Sequence, residues 1–373
     1  DHKLGAVISI EELDQFMEGM VQGRKRKEIT EGIYRLSALQ QGMLFHGVYS
    51  EEAEAYIEQL KCALQGVDVA AFGQSWQHLL NRHSILRSSF HYNEFSIPVQ
   101  CVYRGIKMPL EIIDYRSLNA SEQLQAISNY EAADRARGFD FAEAPLMRVS
   151  LLRLDNERYH MVWSWHHLLM DGWSMPVLME DFLSTYESIS KGQLPPRQGE
   201  DKYEDYIRFI EDRDKELEEH YWRGYMNGMN EATLLPFIGK TTDRTKGVGI
   251  YKEASMQLDA SVLEKAVSFA QRHHLTLNTI MQGVWSCLLH SYTGNDHVCF
   301  GVTVSGRPDE LPDVEKRVGM YINTIPLHTA VNETERITDW LLSIQSAQVL
   351  SRQHQYTALQ DIREWTGMRG DLF

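Results

Sequence analysis

The stretch that most constrains the fold spans residues 159–175, YHMVWSWHHLLMDGWSM. Tyr159, Met161, Trp163 and Trp165 alternate with His160, Val162 and Ser164, the two-residue period of a strand with its rings on one face. Continued through the histidine pair, the alternation puts His167 with the rings and His166 on the opposite face. Only one of the two then faces a given cavity. Asp171-Gly172 reads as a turn. A ring nitrogen at a strand end, with a carboxylate and a glycine just beyond, suits proton handling or substrate positioning. The competing reading is a hydrogen-bonded core histidine, ordinary in a chain with 15 of them. His273-His274 is an internal control, since LTLNT follows it with no aspartate or glycine in register; no function is expected there.

The chain has 373 residues, room for two domains of ordinary size. At 43% hydrophobic and 24% charged it reads as a soluble globular protein. No apolar run approaches the roughly 20 residues that span a bilayer, and DHKLGAVISIEEL lacks a signal-peptide pattern. Cys62, Cys101, Cys287 and Cys299 are scattered with no metal-like grouping, so reduced thiols and a cytoplasmic location are expected. A net charge of −15 tells against a nucleic-acid partner.

Residues 1–32 read as an appendage, a linker or the tail of an upstream domain. Ser9 and Glu12 form a capping box for a short helix, and the basic run 24–27 reads as solvated linker. From residue 33, strands and helices alternate. The expected order is a helix after Leu36-Ser37-Ala38, a strand at 56–64, a helix at 69–81, strands over PVQCVY and LEIIDY, and a helix at 121–137. A turn at Glu143-Ala144-Pro145, a hairpin around Asn156 and a helix at 175–188 close this half. Arg87 needs a salt bridge if it is buried. KGQLPPRQGEDK (191–202) reads as the linker between a lobe at 33–190 and one at 203–373. The second lobe is expected to hold one long helix at 203–225, a loop at 240–249 and a strand at 252–258. A helix begins at Ser261 and another spans 277–292; HVCFGVTVSGRP (297–308), a strand ending in a glycine-arginine-proline turn, and a strand at 318–331 precede a helix at 337–353. Interleaved strands and helices favour an α/β class with two-layer α+β lobes.

No GxxxxGK[ST] loop, strand–GxGxxG–helix, HExxH or GxSxG occurs, so no nucleotide cofactor, zinc protease site or serine nucleophile is expected. The opposed histidine rings tell against joint metal ligation. A histidine without a nucleophile implies direct transfer between two bound substrates.

HHLLMDGWS (166–174) resembles the HHxxxDG signature of nonribosomal peptide synthetase condensation domains, of the chloramphenicol acetyltransferase-like superfamily. LSALQQGMLFH (36–46), RHSILRSSF (82–90), YEDYIRFI (203–210), GVTVSGRP (301–308) and VGMYINTIPL (318–327) resemble other core motifs of that family, in its order. The resemblance covers about residues 33–373. It implies two chloramphenicol-acetyltransferase-like lobes in a V with a tunnel between them. A peptide bond would form there by attack of a carrier-bound aminoacyl amine on a carrier-bound acyl or peptidyl thioester. Within that picture His167 and Gly172 are catalytic, His167 as general base or as positioner, and the Gly172 amide as oxyanion donor where a side chain would crowd the tunnel. His166, Asp171 and Arg307 are structural, the last two paired, while Trp173, Ser174 and Asn323 line the tunnel.

The resemblance also implies no cofactor or metal on this chain, since phosphopantetheine-linked substrates arrive on partners. Those partners are an upstream donor carrier protein, a downstream acceptor carrier protein and an adjacent adenylation domain, with no nucleic acid and no membrane. Trp173 and INTIP favour condensation over an epimerization domain, and the intact second histidine over a catalytically silent docking module. Family members usually continue past Phe373, so a second lobe lacking its C-terminal end is expected.

Overall fold

The computed structural model describes residues 7–49, 56–196, 198–229, 232–237, 253–368 and 372, the side chains of 46, 48 and 49 excepted. The chain forms two compact units, Asp1–Asp212 with Arg307–Tyr321, and Arg213–Gly306 with Ile322–Phe373. In the first unit α1 (Ile10–Met17), β1 (Met20–Val21), β2 (Arg24–Lys25) and α2 (Arg26–Ile29) lead into β3 (Thr30–Arg35) and α3 (Ala38–Tyr49). Then come β4 (Ile57–Gln65), α4 (Val69–Arg82), β5 (Ser88–His91), β6 (Val99–Tyr103), β7 (Leu110–Asp114) and α5 (Ala120–Arg137). The hairpin β8 (Met147–Arg153) and β9 (Arg158–His166), α6 (Ser174–Ser190) and α7 (Glu204–Glu211) follow. The second unit holds α8 (Lys215–Tyr225), α9 (Ala260–Arg272), α10 (Leu277–Thr293), β10 (His297–Val304), β11 (Asn323–Ala330), α11 (Ile337–Gln353) and α12 (Leu359–Thr366). This is the expected mixture of helix and sheet.

β9 is an inner strand of the sheet β4-β9-β8-β7, in which only the β7–β8 pair is parallel. Its alternation serves both faces. Trp163 meets Trp76 of α4 with ring centroids 4.7 Å apart, and Trp76 meets Phe182 of α6 at 4.7 Å. Phe72, Leu79 and Leu80 of α4 complete this core, each contributing roughly 1.5–3 kcal/mol by leaving water. On the other face, Ser164 donates to Asp134 of α5, and His160 Nε2 lies 2.8 Å from Glu131 Oε1. Arg148 of β8 pairs with Asp134 at 2.5 Å, so the buried charges on that face are matched. A smaller sheet, β3-β6-β5, is all antiparallel. Buried Arg87 pairs beside it with Glu31 and Glu200, as its position requires.

In the second unit, β10 and β11 pair antiparallel from His297↔Ala330 to Val304↔Asn323. One apolar cluster gathers Trp222 of α8, Cys299, Ile325 and Ile362 of α12. Another gathers Ala270, Leu327, Trp340, Leu341 and Ile344. No helix among the described residues is long and apolar enough to cross a membrane.

Several expectations require correction. Residues 7–32 are no loose appendage: the α1 stripe places Phe16 edge-on to His91, centroids 4.7 Å apart, and next to Phe95. The basic run is structured too, with Arg26 over the Phe16 ring at 4.2 Å and Lys25 and Lys27 both on Glu18. The linker 191–202 ends anchored in the first unit, because Asp201 hydrogen-bonds buried His83 and Glu200 pairs with Arg87. The division between units falls instead at Asp212, inside the helix expected over 203–225, and Arg307–Tyr321 joins the first unit. That helix is two, because the Asp214 carboxylate accepts from the N–H groups of Glu216 and Leu217 and starts a new one. Residues 253–258 form no strand, and of 318–331 only Asn323–Ala330 does. The expected loop at 240–249 lies outside the described residues.

Candidate active site

β9 ends at His166, and a single 3-10 turn, His167–Leu169, follows. The two histidines therefore differ by more than strand alternation: His166 is the last strand residue and His167 the first of the turn. His166 is 2% exposed, its ring edge-on to Phe141 at 5.0 Å. Burial, and then the neighbouring His167, push its pKa down to about 3, so it is a neutral acceptor. Its Nδ1 takes the Leu168 N–H at 3.1 Å, which fixes the turn. The His167 backbone N–H donates to Tyr56 O at 2.8 Å. Its half-buried ring is held differently, for Nδ1 is buried and has no hydrogen-bond partner among the described residues.

Four residues on, the chain closes a dense polar knot. Asp171 Oδ1 accepts from Ser174 N at 3.0 Å and from Arg307 Nη2 at 3.2 Å, and Oδ2 accepts from Tyr321 N at 3.1 Å. Asp171 and Arg307 thus form the expected ion pair, with side chains 0% and 6% exposed. Arg307 also donates to Val314 O at 2.5 Å and Arg317 O at 2.9 Å, with its guanidinium 4.2 Å over the Tyr321 ring. Ser174 Oγ lies 2.8 Å from Asp171 Oδ1 and 2.9 Å from Gly319 O, and accepts from Gly319 N at 3.0 Å. Ser174 was expected to line the substrate path; instead it is wholly buried and spent on this knot.

Gly172 and Trp173, between the turn and the knot, face outward, Trp173 at 57% exposure with Nε1 3.3 Å from Glu315 O. A Cβ at Gly172 would meet nothing within 4 Å, and its backbone needs no positive φ. Among the described residues the glycine leaves open space beside an amide that makes no hydrogen bond. Asn323 is buried in the second unit, where its amide nitrogen donates to Gln355 O and Thr357 O, both at 2.9 Å.

Further motif residues, unremarked in the sequence, hold the knot. Buried His83 bridges Asp181 of α6 at 3.0 Å and Asp201 at 2.9 Å, and Asp201 Oδ2 also accepts from Val318 N at 2.8 Å. Burial opposes charge on His83, but the two carboxylate hydrogen bonds outweigh it and raise its pKa. Tyr203 donates to Met320 O, and its ring occupies the space a side chain at Gly319 would need. Gln40 of α3 donates to Leu168 O at 3.0 Å. Gln40 is a polar group among apolar helical positions, while His83, Asp201 and Tyr203 lie at or beyond helix ends, where polar residues are common; neither signal becomes specific until the partner is visible. No group of three or more metal-ligating side chains occurs among the described residues.

Comparison with known proteins identifies the family. The Condensation domain profile matches residues 30–372. One of the linear gramicidin synthase proteins of Brevibacillus parabrevis is 40% identical over 338 residues, covering 91% of this chain and 4% of that protein. Among solved structures, the X-domain from teicoplanin biosynthesis aligns with TM-score 0.72 at 20% identity, covering 91% of this chain and 74% of that one. The first condensation domain of the calcium-dependent antibiotic synthetase, in complex with a substrate analogue, aligns with TM-score 0.66 at 19% identity, covering 91% and 80%. The chain belongs to the condensation-domain family of nonribosomal peptide synthetases.

Proposed function

We propose that this chain joins a carrier-bound acyl or peptidyl thioester to a carrier-bound aminoacyl thioester at His167, its two units serving as the family's two lobes. The acceptor amine nitrogen attacks the donor carbonyl carbon. A tetrahedral oxyanion forms, the carbon–sulfur bond breaks, the thiol departs with a proton, and an amide remains. Both substrates ride on phosphopantetheine arms of donor and acceptor carrier proteins, with an adenylation domain loading the acceptor, in the cytoplasm. The chain itself spans 4% of the gramicidin synthase relative, so these partners belong to the larger assembly this reading supposes.

The observation that carries the reading is the buried Nδ1 of His167, which has no hydrogen-bond partner among the described residues, at a strand end just before the open Gly172. A strong general base is normally held by an acceptor on its second nitrogen, which fixes the tautomer and supports the imidazolium. His167 has none among the described residues. This favours a histidine that hydrogen-bonds the attacking amine or the tetrahedral intermediate and aligns the two substrates, an alignment worth several kcal/mol in a bimolecular step. The unbonded Gly172 amide is suited to the oxyanion. His166, Asp171 and Arg307 hold the turn, and exposed Trp173 flanks it.

Single-turnover condensation with donor and acceptor on carrier proteins tests this, with product read by mass spectrometry. The parent chain should form product and His167→Ala should form it about 10²–10⁴-fold more slowly. Product from neither, with carriers still bound, would instead establish a silent docking module; equal rates would remove His167 from the reaction.

A further inference from the structure

The His167 ring has no hydrogen bond at Nδ1 among the described residues, so its position depends on the backbone that bears it. That backbone is tied at four points: His167 N–H to Tyr56 O, Leu168 N–H to His166 Nδ1, Leu168 C=O to Gln40 Nε2, and His167 C=O to Met170 N–H one turn on. The third tie comes from a distant helix, 128 residues earlier in the chain. Gln40 is fully buried and sits one turn before Met43 and Leu44, both buried, so it occupies a core-facing position of α3 where leucine would pack as well. A buried amide there is costly unless both its ends are bonded. Both are: Oε1 accepts from Ser37 N at 3.0 Å, and Nε2 donates to Leu168 O at 3.0 Å.

We propose that Gln40 is a positioning residue for His167, locking the histidine turn to α3 through the Leu168 carbonyl. This rests on the reaction proposed above. A purely local role would be the capping box at the start of α3, in which Ser37 Oγ lies 3.4 Å from Gln40 N and Gln40 Oε1 takes the Ser37 N–H. That box uses only the oxygen of the amide. The nitrogen is left over for the turn, and the two roles are therefore separable. Gln40→Glu keeps the cap acceptor but sets a carboxylate oxygen against the Leu168 carbonyl. Gln40→Met keeps the volume and loses both of these bonds, together with the one Oε1 accepts from Gln100 Nε2 at 3.4 Å. Ser37→Ala weakens the cap and spares the tie to Leu168.

The test measures single-turnover rates and carrier-substrate KM for the three variants beside the parent, with melting temperatures. In parallel, NMR at one fixed pH records the chemical shifts of the His167 ring. Gln40→Glu and Gln40→Met should slow the chemical step about 10–100-fold, as a displacement near 1 Å does. Their KM should stay within about threefold of the parent, while Ser37→Ala keeps the parental rate at a similar loss of melting temperature. The His167 ring resonances should move in both Gln40 variants and not in Ser37→Ala. Parental rates in folded Gln40→Met, or equal slowing by Ser37→Ala, would overturn the proposal. If the parent makes no product, the proposed reaction falls and the NMR arm alone decides: unmoved His167 resonances in Gln40→Met overturn the tie, displaced ones uphold it.

Discussion

Replacing Asp171 with asparagine should cost more than any surface substitution in the chain, and the structure gives the size. One carboxylate oxygen serves Ser174 N and Arg307 Nη2, and the other takes Tyr321 N–H. Asparagine offers a single acceptor. With its oxygen on the Ser174 side, its NH2 faces the Tyr321 N–H, donor against donor. With its oxygen on the Tyr321 side, it points an N–H at a guanidinium that is 6% exposed. Either way a buried cation loses its counter-charge, a loss of about 3–5 kcal/mol. At roughly 2–4 °C per kcal/mol for a unit of this size, the melting temperature should fall by about 6–20 °C. Thermal and urea unfolding of Asp171→Asn, Asp171→Leu, Arg307→Met and the double variant Asp171→Leu/Arg307→Met would measure it. The double variant should be less damaged than the sum of its singles by more than about 1 kcal/mol, since a matched apolar pair leaves no orphan charge. A loss below about 1 kcal/mol for Asp171→Asn, or strict additivity, would refute the assignment of Asp171 and Arg307 as one buried unit.

His83, with its pKa raised by Asp181 and Asp201 against the opposing effect of burial, binds its proton more tightly in the folded chain than in the unfolded one. Its stabilisation is therefore complete below the unfolded value of about 6.5 and fades as pH rises through the folded value. Urea midpoints between pH 6 and 9 should fall more steeply for the parent than for His83→Gln, and parallel slopes would contradict this. Gly319→Ala drives a methyl group into the ring of wholly buried Tyr203, so overpacking should cost about 1–3 kcal/mol in chemical denaturation. Restored stability in Gly319→Ala/Tyr203→Leu would confirm the clash as the cause.

What can be read in the sequence is what is local. The β9 alternation, the Ser9–Glu12 capping box, α4 and its Phe72, Trp76, Leu79 stripe, and the stop of α10 at Gly294 all announce themselves within a few residues. A role set by a distant partner leaves no such mark. The Phe16 stripe looks like a solvated tail because His91 and Phe95, which cover it, lie some 75 residues on. Asp212-Arg213-Asp214 looks like one more polar turn of a long helix, because a cap and an exposed helical face are written in the same residue types. Ser174 reads as facing substrate for a similar reason: a serine after an exposed tryptophan says nothing of Gly319, 145 residues later, which claims its hydroxyl. The Asp171–Arg307 pair comes from family resemblance, since no local signal joins residues 136 positions apart.

The placements suggest why six separate motifs accompany a reaction that asks so little of side chains. In three dimensions motif residues hold one another directly or through one intermediary: Gln40 holds Leu168, His83 reaches Val318 through Asp201, and Tyr203 packs where Gly319 has no side chain. Arg307 reaches the knot from the loop after β10 and fixes Asp171 there. Left over among the described residues, with unbonded or open groups, are the His167 ring, the Gly172 amide and the Trp173 face. A reaction between two tethered substrates needs chiefly alignment and a few donors in fixed places, and alignment is lost by small displacements. A frame of buried hydrogen bonds resists such displacements better than apolar packing, which tolerates sliding and exchange of shape. On that reasoning, and for the reaction proposed above, substitutions in the frame should lower the rate of the chemical step through geometry, and those at His167 and Gly172 through lost contact with the reacting atoms.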